Sequence, residues 1–238
     1  MNPTTGASMV VGNTGTVLLD IAFAPTGDLY GITASELYRI NPSTAAATRI
    51  GFLSTDEPPA NQFANALTFG SNGTLYAASF VTTAIYTVDL LTGRASSIGT
   101  TGFASSGDLA FSNGSLFLSA TGGGPSGDLL VKIDLRALSQ SSIVGNMGIR
   151  GVYGLAATSD GALYGVAGNQ VFALDTSTGA TTRRATFFTS GSAFGATANP
   201  TPEPTSAFLL STGLVWVCRR RWTLRGQRST IRPARAPR

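Results

Sequence analysis

The chain has 238 residues, enough for one sizeable domain; only 12% are charged and 29 are glycine, which excludes charge-rich surface helices and favours an all-β protein with many turns. With no histidine and a single cysteine, Cys218, it has no Ser-His or Cys-His dyad, no intramolecular disulfide and no thiolate zinc cluster. The net charge of +4 belongs to the far end: eight arginines lie from Arg219 onward without an acid, while the rest holds eight basic and twelve acidic groups, so no nucleic-acid partner is expected.

From Asp20 a phrase begins that recurs three times: "DIAFAPTGDLYGIT", then "ALTFGSNGTLYAAS" from Ala66, "DLAFSNGSLFLSA" from Asp108 and "GLAATSDGALYGVA" from Gly154. Each is followed by a second phrase, "ELYRINPSTAAATRIG", "IYTVDLLTGRASSIG", "LVKIDLRALSQSSIVG" or "VFALDTSTGATTRRA". The matched residues Leu29, Leu75, Leu116 and Leu163 recur every 41 to 47 residues, so one unit is used four times, over about 20–52, 65–99, 107–147 and 153–186. Within a unit a small apolar strand leads into a tight turn. Asn72-Gly73, Asn113-Gly114 and Asp160-Gly161 supply the positive φ that short hairpin turns need. A Leu-Tyr or Leu-Phe strand follows, then a third strand ending at Asn41, Asp89, Asp134 or Asp175, then a fourth ending near Gly51, Gly99 or Gly145.

Four short strands in 40 to 50 residues are the signature of a β-propeller blade, since one such sheet cannot bury both faces alone. The units resemble blades of quinoprotein-like and NHL-like propellers. The expected architecture is therefore an all-β array of about four four-stranded blades over 1–198, followed by a short hydrophobic helix. Residues 1–15 match the closing part of a unit and read as a partial blade, and "SAFGATANP" from Ser192 reads as the first strand of another. The expectation is a fragment of a larger ring whose leader and preceding strands lie upstream.

After Ala198 the cadence stops. Residues 199–205 form a Pro-rich linker, 206–222 read as a hydrophobic helix with an arginine cluster, and 223–238 as a disordered basic tail. The order Pro202-Glu203-Pro204, apolar run, Arg219-Arg220-Arg221 resembles the PEP-CTERM sorting signal of Gram-negative bacteria. The resemblance implies transient anchoring in the inner membrane, recognition and cleavage by an exosortase, and an exported product at the cell surface or in an extracellular, polysaccharide-rich biofilm matrix. The apolar run is shorter than the ~20 residues that span a bilayer comfortably.

Within the body, Asp20 and Asp108 begin two equivalent first strands and could face the ring axis, where carboxylates hold a cation such as Ca²⁺. Capping at the strand start or exposure to water is the competing reading, favoured because Ala66 and Gly154 occupy the other two places. The recurring Asn41, Asp89, Asp134 and Asp175 read as turn-stabilising acceptors. "NGT" at Asn72 and "NGS" at Asn113 fit a glycosylation pattern but sit in hairpin turns. No catalytic constellation, metal site or cofactor is expected. The function expected is a binding or scaffold module, with a membrane-tethered periplasmic module and a quinoprotein-like enzyme as alternatives.

Overall fold

Turn chemistry shapes each sheet. Gly27, Gly73 and Gly161 close the first hairpins with φ of 87°, 82° and 83°, while Asn113 and Gly114 both adopt positive φ, 48° and 73°. At the other end of each unit, Oδ1 of Asn41, Asp89, Asp134 and Asp175 accepts N–H groups two and three residues ahead, at 2.8–3.2 Å. These are the acceptor roles expected from recurrence.

The computed structural model describes residues 1–53, 64–122, 124–187 and 193–198, together with the backbone of 208–212. It contains four four-stranded antiparallel meanders. The first comprises β1 (Asp20–Phe23), β2 (Leu29–Ile32), β3 (Glu36–Ile40) and β4 (Ala47–Phe52). The second comprises β5 (Ala64–Phe69), β6 (Leu75–Ser79), β7 (Ala84–Val88) and β8 (Ala95–Thr100). The third is β9 (Ser105–Ser112), β10 (Ser115–Ala120), β11 (Leu129–Ile133) and β12 (Ser142–Asn146). The fourth is β13 (Val152–Ala157), β14 (Leu163–Ala167), β15 (Gln170–Leu174) and β16 (Thr181–Thr186). The expected four-bladed, all-β propeller body is thus present.

A fifth, two-stranded sheet completes the circle. Its inner strand β17 (Ala193–Ala198) pairs with β18 (Phe208–Thr212), and it packs against β13 on one side and β1 on the other. Five inner strands therefore surround one axis. Two expectations change. The four units do not form an open arc, because "SAFGATANP" contains the strand that closes it. Phe208–Thr212, expected inside a helix over 206–222, is a strand. Pairing with β17 satisfies backbone groups that a helix would have satisfied within itself. The remaining linker, helix and tail assignments lie outside the described residues. Among the described residues no helix is long and apolar enough to cross a membrane.

The core is divided into layers between neighbouring sheets. Between the first and second lie Leu37, Leu67, Leu75 and Tyr86; between the second and third, Ile85, Leu109, Leu118 and Val131. Between the third and fourth lie Phe117, Leu130, Met147 and Leu155, and the fourth meets the fifth through Val171, Phe187 and Ala196. Each fully buried Leu or Ile contributes roughly 1.5–3 kcal/mol. Glycines set how closely the sheets approach. A Cβ on Gly51 would strike the Thr92 carbonyl of the next sheet, and one on Gly145 would strike that of Thr178.

Residues 2–7 repeat the turn found at residues 41–46. Asn2 Oδ1 accepts Thr4 N–H (2.9 Å) and Thr5 N–H (3.0 Å), and Gly6 N–H donates to the Asn2 carbonyl, as Ala45 N–H does to Asn41. Gly6 lies against Thr186 of the fourth sheet and Gly12 against Thr44 of the first. The partial blade expected over 1–15 thus forms the outer portion of the fifth.

Candidate functional site

The inner strands bring one residue each to the same level: Asp20, Ala66, Asp108, Gly154 and Gly195. Two of the three small residues are Gly for a steric reason. A Cβ on Gly195 would run into Asp20, and one on Gly154 would come within 2.8 Å of the Ala196 Cβ. The space left by these small residues is filled by the two aspartates, both fully buried.

Their carboxyls gather backbone N–H groups from all five sheets. Asp20 Oδ1 accepts Ile21 N–H at 2.7 Å and its Oδ2 accepts Leu67 N–H at 2.5 Å. Asp108 Oδ1 accepts Leu109 N–H at 2.6 Å; its Oδ2 accepts Leu155 N–H at 2.5 Å and, more distantly, Ala196 N–H at 3.4 Å. Each of these donors directly follows one of the five axial residues. Two acids thus satisfy five donors aimed at the axis, which would otherwise be buried without acceptors.

The two side chains also hydrogen-bond each other. Burial raises both acids, because removing a carboxylate from water penalises its charged form. Asp108 is pushed up to about 8. Asp20 is raised well above 3.8 by burial and then by the neighbouring Asp108 charge. A proton shared between the carboxyls relieves their repulsion and supplies the O–H that joins them. No other acid or base lies on the five inner strands apart from Tyr153 at the rim.

This geometry decides between the two readings of Asp20 and Asp108. Both residues do face the axis, but their oxygens point at N–H donors, and a cation would be placed against positive dipole ends. Among the described residues, no group of three acid or cysteine side chains could hold a metal ion. Capping at the strand start is the role observed, and exposure to water is not, since both residues are fully buried. What the sequence did not reveal is that it links all five sheets.

Just before the axial residues, register shifts place Asn65, Tyr153 and Phe194 in bulges, which re-aim side chains. The Tyr153 and Phe194 rings stack with centroids 6.0 Å apart, and Tyr153 is 38% exposed. Asn65 Oδ1 is buried without a hydrogen-bond partner among the described residues. Asp128, not singled out from the sequence, accepts Ser106 Oγ–H at 2.6 Å and Val152 N–H at 3.0 Å, tying the third sheet to the fourth. Asn72 accepts Thr74 N–H at 3.1 Å, the turn role expected for it. Pro202, Glu203, Pro204, Arg219, Arg220 and Arg221 lie outside the described residues.

Comparison with solved structures places the fold among known propellers. A protein of unknown function from Bacteroides thetaiotaomicron is similar with a TM-score of 0.55 at 13% identity, over 81% of this chain and 56% of that one. A gluconolactonase from Xanthomonas campestris gives 0.53 at 14%, over 81% and 68%. The PQQ-bound aldose sugar dehydrogenase of Streptomyces coelicolor gives 0.51 at 16%, over 73% and 64%. The chain therefore spans less than two thirds of the length of the dehydrogenase and of the Bacteroides protein. At these identities the likeness is one of fold. No curated protein matches the sequence significantly. Residues 11–158, more than half of the chain, match a family described as a repeat of unknown function, and the chain belongs to that family, DUF6923.

Proposed function

We propose that this chain is a non-catalytic propeller module that binds or scaffolds an extracellular partner and is delivered by its C-terminal segment. The observation that carries the binding role is the filled axis. The two acids at the centre of the ring are occupied by backbone N–H groups, and this supports a rigid ring presenting its rim and outer faces. Delivery rests on the PEP-CTERM resemblance: Pro202-Glu203-Pro204, the apolar run and Arg219-Arg220-Arg221 would be read by an exosortase after transient insertion in the inner membrane. An extracellular polysaccharide is the partner class that this delivery implies.

Phe208–Thr212 gives the tail two competing roles, because these residues form β18 and also lie within the proposed sorting segment. Among the described strands β18 pairs only with β17, so its withdrawal breaks one strand pair and leaves the four complete sheets intact. The test is expression behind an export signal in a Gram-negative host with an active exosortase, followed by fractionation and mass spectrometry of the product's C-terminus. Extracellular protein ending near Pro202 to Pro204 is expected. An extracellular product that retains Arg238, or one that stays in the membrane with its tail uncut, contradicts the sorting reading.

A further inference from the structure

Two parts of the fifth blade are tied to the ring without help from β18. The first is residues 2–12. In complete blades the turn before an outer strand meets the backbone of the preceding sheet, as Gly93 meets Gly51 and Gly179 meets Gly145. Residues 2–12 take part in two such junctions. A Cβ on Gly6 would stand 2.3 Å from the Thr186 carbonyl oxygen of the fourth sheet, and one on Gly12 would stand 2.2 Å from that of Thr44 in the first. Met1 packs against the layer that holds Val171 and Phe187. The segment therefore crosses from the fourth blade to the first at the level of the outer strands.

The second part is β17, whose anchors all precede Pro202. Phe23 N–H of the first blade donates to Thr197 Oγ1 at 3.1 Å, and Gly195 lies against Asp20. Toward the fourth blade, Ala193 N–H donates to the Gly168 carbonyl at 3.3 Å and Phe194 stacks on Tyr153. Ala196 is buried in one cluster with Val166 and Val171, and its N–H points at Asp108 on the axis at 3.4 Å. None of these contacts involves β18.

We infer that residues 1–12 and β17 form a clasp that keeps the ring closed when β18 is withdrawn. The clasp spans the seam between the fourth and first blades twice, once at the outer strands and once at the axis. Its use rests on the sorting reading: cleavage near Pro202 to Pro204 would take β18 away and leave a closed propeller. β18 also reaches β1, so it and the outer span hold the same seam in parallel. Loss of either alone is tolerated, and loss of both opens the seam.

The test is amide exchange on the full chain at two reporters of the seam, Phe23 and Ala196, with Leu109 on the third blade as control. Leu209→Pro/Leu210→Pro removes two successive N–H groups, one of which must face β17, and so breaks the pair. Gly12→Ala forces a methyl against the Thr44 carbonyl and lifts the outer span. Each of these variants should exchange within tenfold of wild type at both reporters. The triple variant should exchange more than tenfold faster than the proline variant, with Leu109 unchanged throughout. A proline variant that does not fold, either variant opening the seam alone, or a triple variant within tenfold of the proline variant would overturn the inference. The prolines act without a protease, so retention of Arg238 in the export experiment would defeat the sorting reading and leave the clasp standing.

Discussion

Raising the pH from 5 to 7 should destabilise this protein, opposite to the usual behaviour of a protein whose carboxylates are salt-bridged. In the unfolded chain Asp20 and Asp108 titrate near 3.8, so both are ionised throughout this range. In the ring both are raised, and the folded state holds at least one proton that the unfolded state has released. Stability is then fully present below the unfolded value and is lost as pH rises toward the folded one. One such proton corresponds to about 1.4 kcal/mol per pH unit, hence about 2.7 kcal/mol over two units. That is a large part of the roughly 5–15 kcal/mol that holds a domain folded. Asp28, Asp89, Asp160 and Asp175 are lowered, chiefly by hydrogen bonds, and act with the opposite sign, but below 3.8. Burial lowers the Met1 amine from 8.0, which adds stability as pH rises near that value, so the window stops at 7. Urea unfolding at pH 5, 6 and 7 measures the effect. The wild-type midpoint should fall steadily, and the double variant Asp20→Asn/Asp108→Asn should be less stable at pH 5 but flat. A wild-type midpoint that is constant or rises across the window would refute the reasoning.

Asp108→Ala removes the acceptor for Leu109 and Leu155 N–H and should cost about 2–6 kcal/mol at pH 5, at 1–3 kcal/mol for each orphaned donor, measured by urea unfolding. Gly145→Ala forces a methyl against the Thr178 carbonyl and should destabilise by about 1–3 kcal/mol, read from thermal melts. Leu118→Ala, fully buried between the second and third sheets, should cost about 2–5 kcal/mol in the same assay.

The blades were legible because their signals are local. Asn-Gly and Asp-Gly turns, Leu-Tyr strands and an Asn or Asp closing each third strand repeat within a few residues of one another. The fifth sheet was only half legible. "SAFGATANP" resembles a first strand, but Phe208–Thr212 continues into an apolar run ending in arginines. A short apolar run has the same appearance whether it becomes helix or strand, and only pairing with β17 decides. The axial pair shows the same limit. Asp20 and Asp108 stood out as equivalent residues, yet their donors come from five strands spread over Ile21 to Ala196. The usable clue was negative: Ala66, Gly154 and Gly195 are too small to fill the axis, so the two larger residues must. The bulges at Asn65, Tyr153 and Phe194 left no mark in the residue pattern.

The axial carboxyls themselves give the most direct test, followed by ¹³C NMR of the aspartate side chains during a pH titration of the folded protein. Two carboxyl resonances, assigned through Asp20→Asn and Asp108→Asn, should keep at least one proton between them up to pH 7. The amide protons of Ile21, Leu67, Leu109 and Leu155 should shift with their titration. If both carboxyls ionise near pH 4 and those amides stay still, the ring is not held at its centre by a protonated pair of acids.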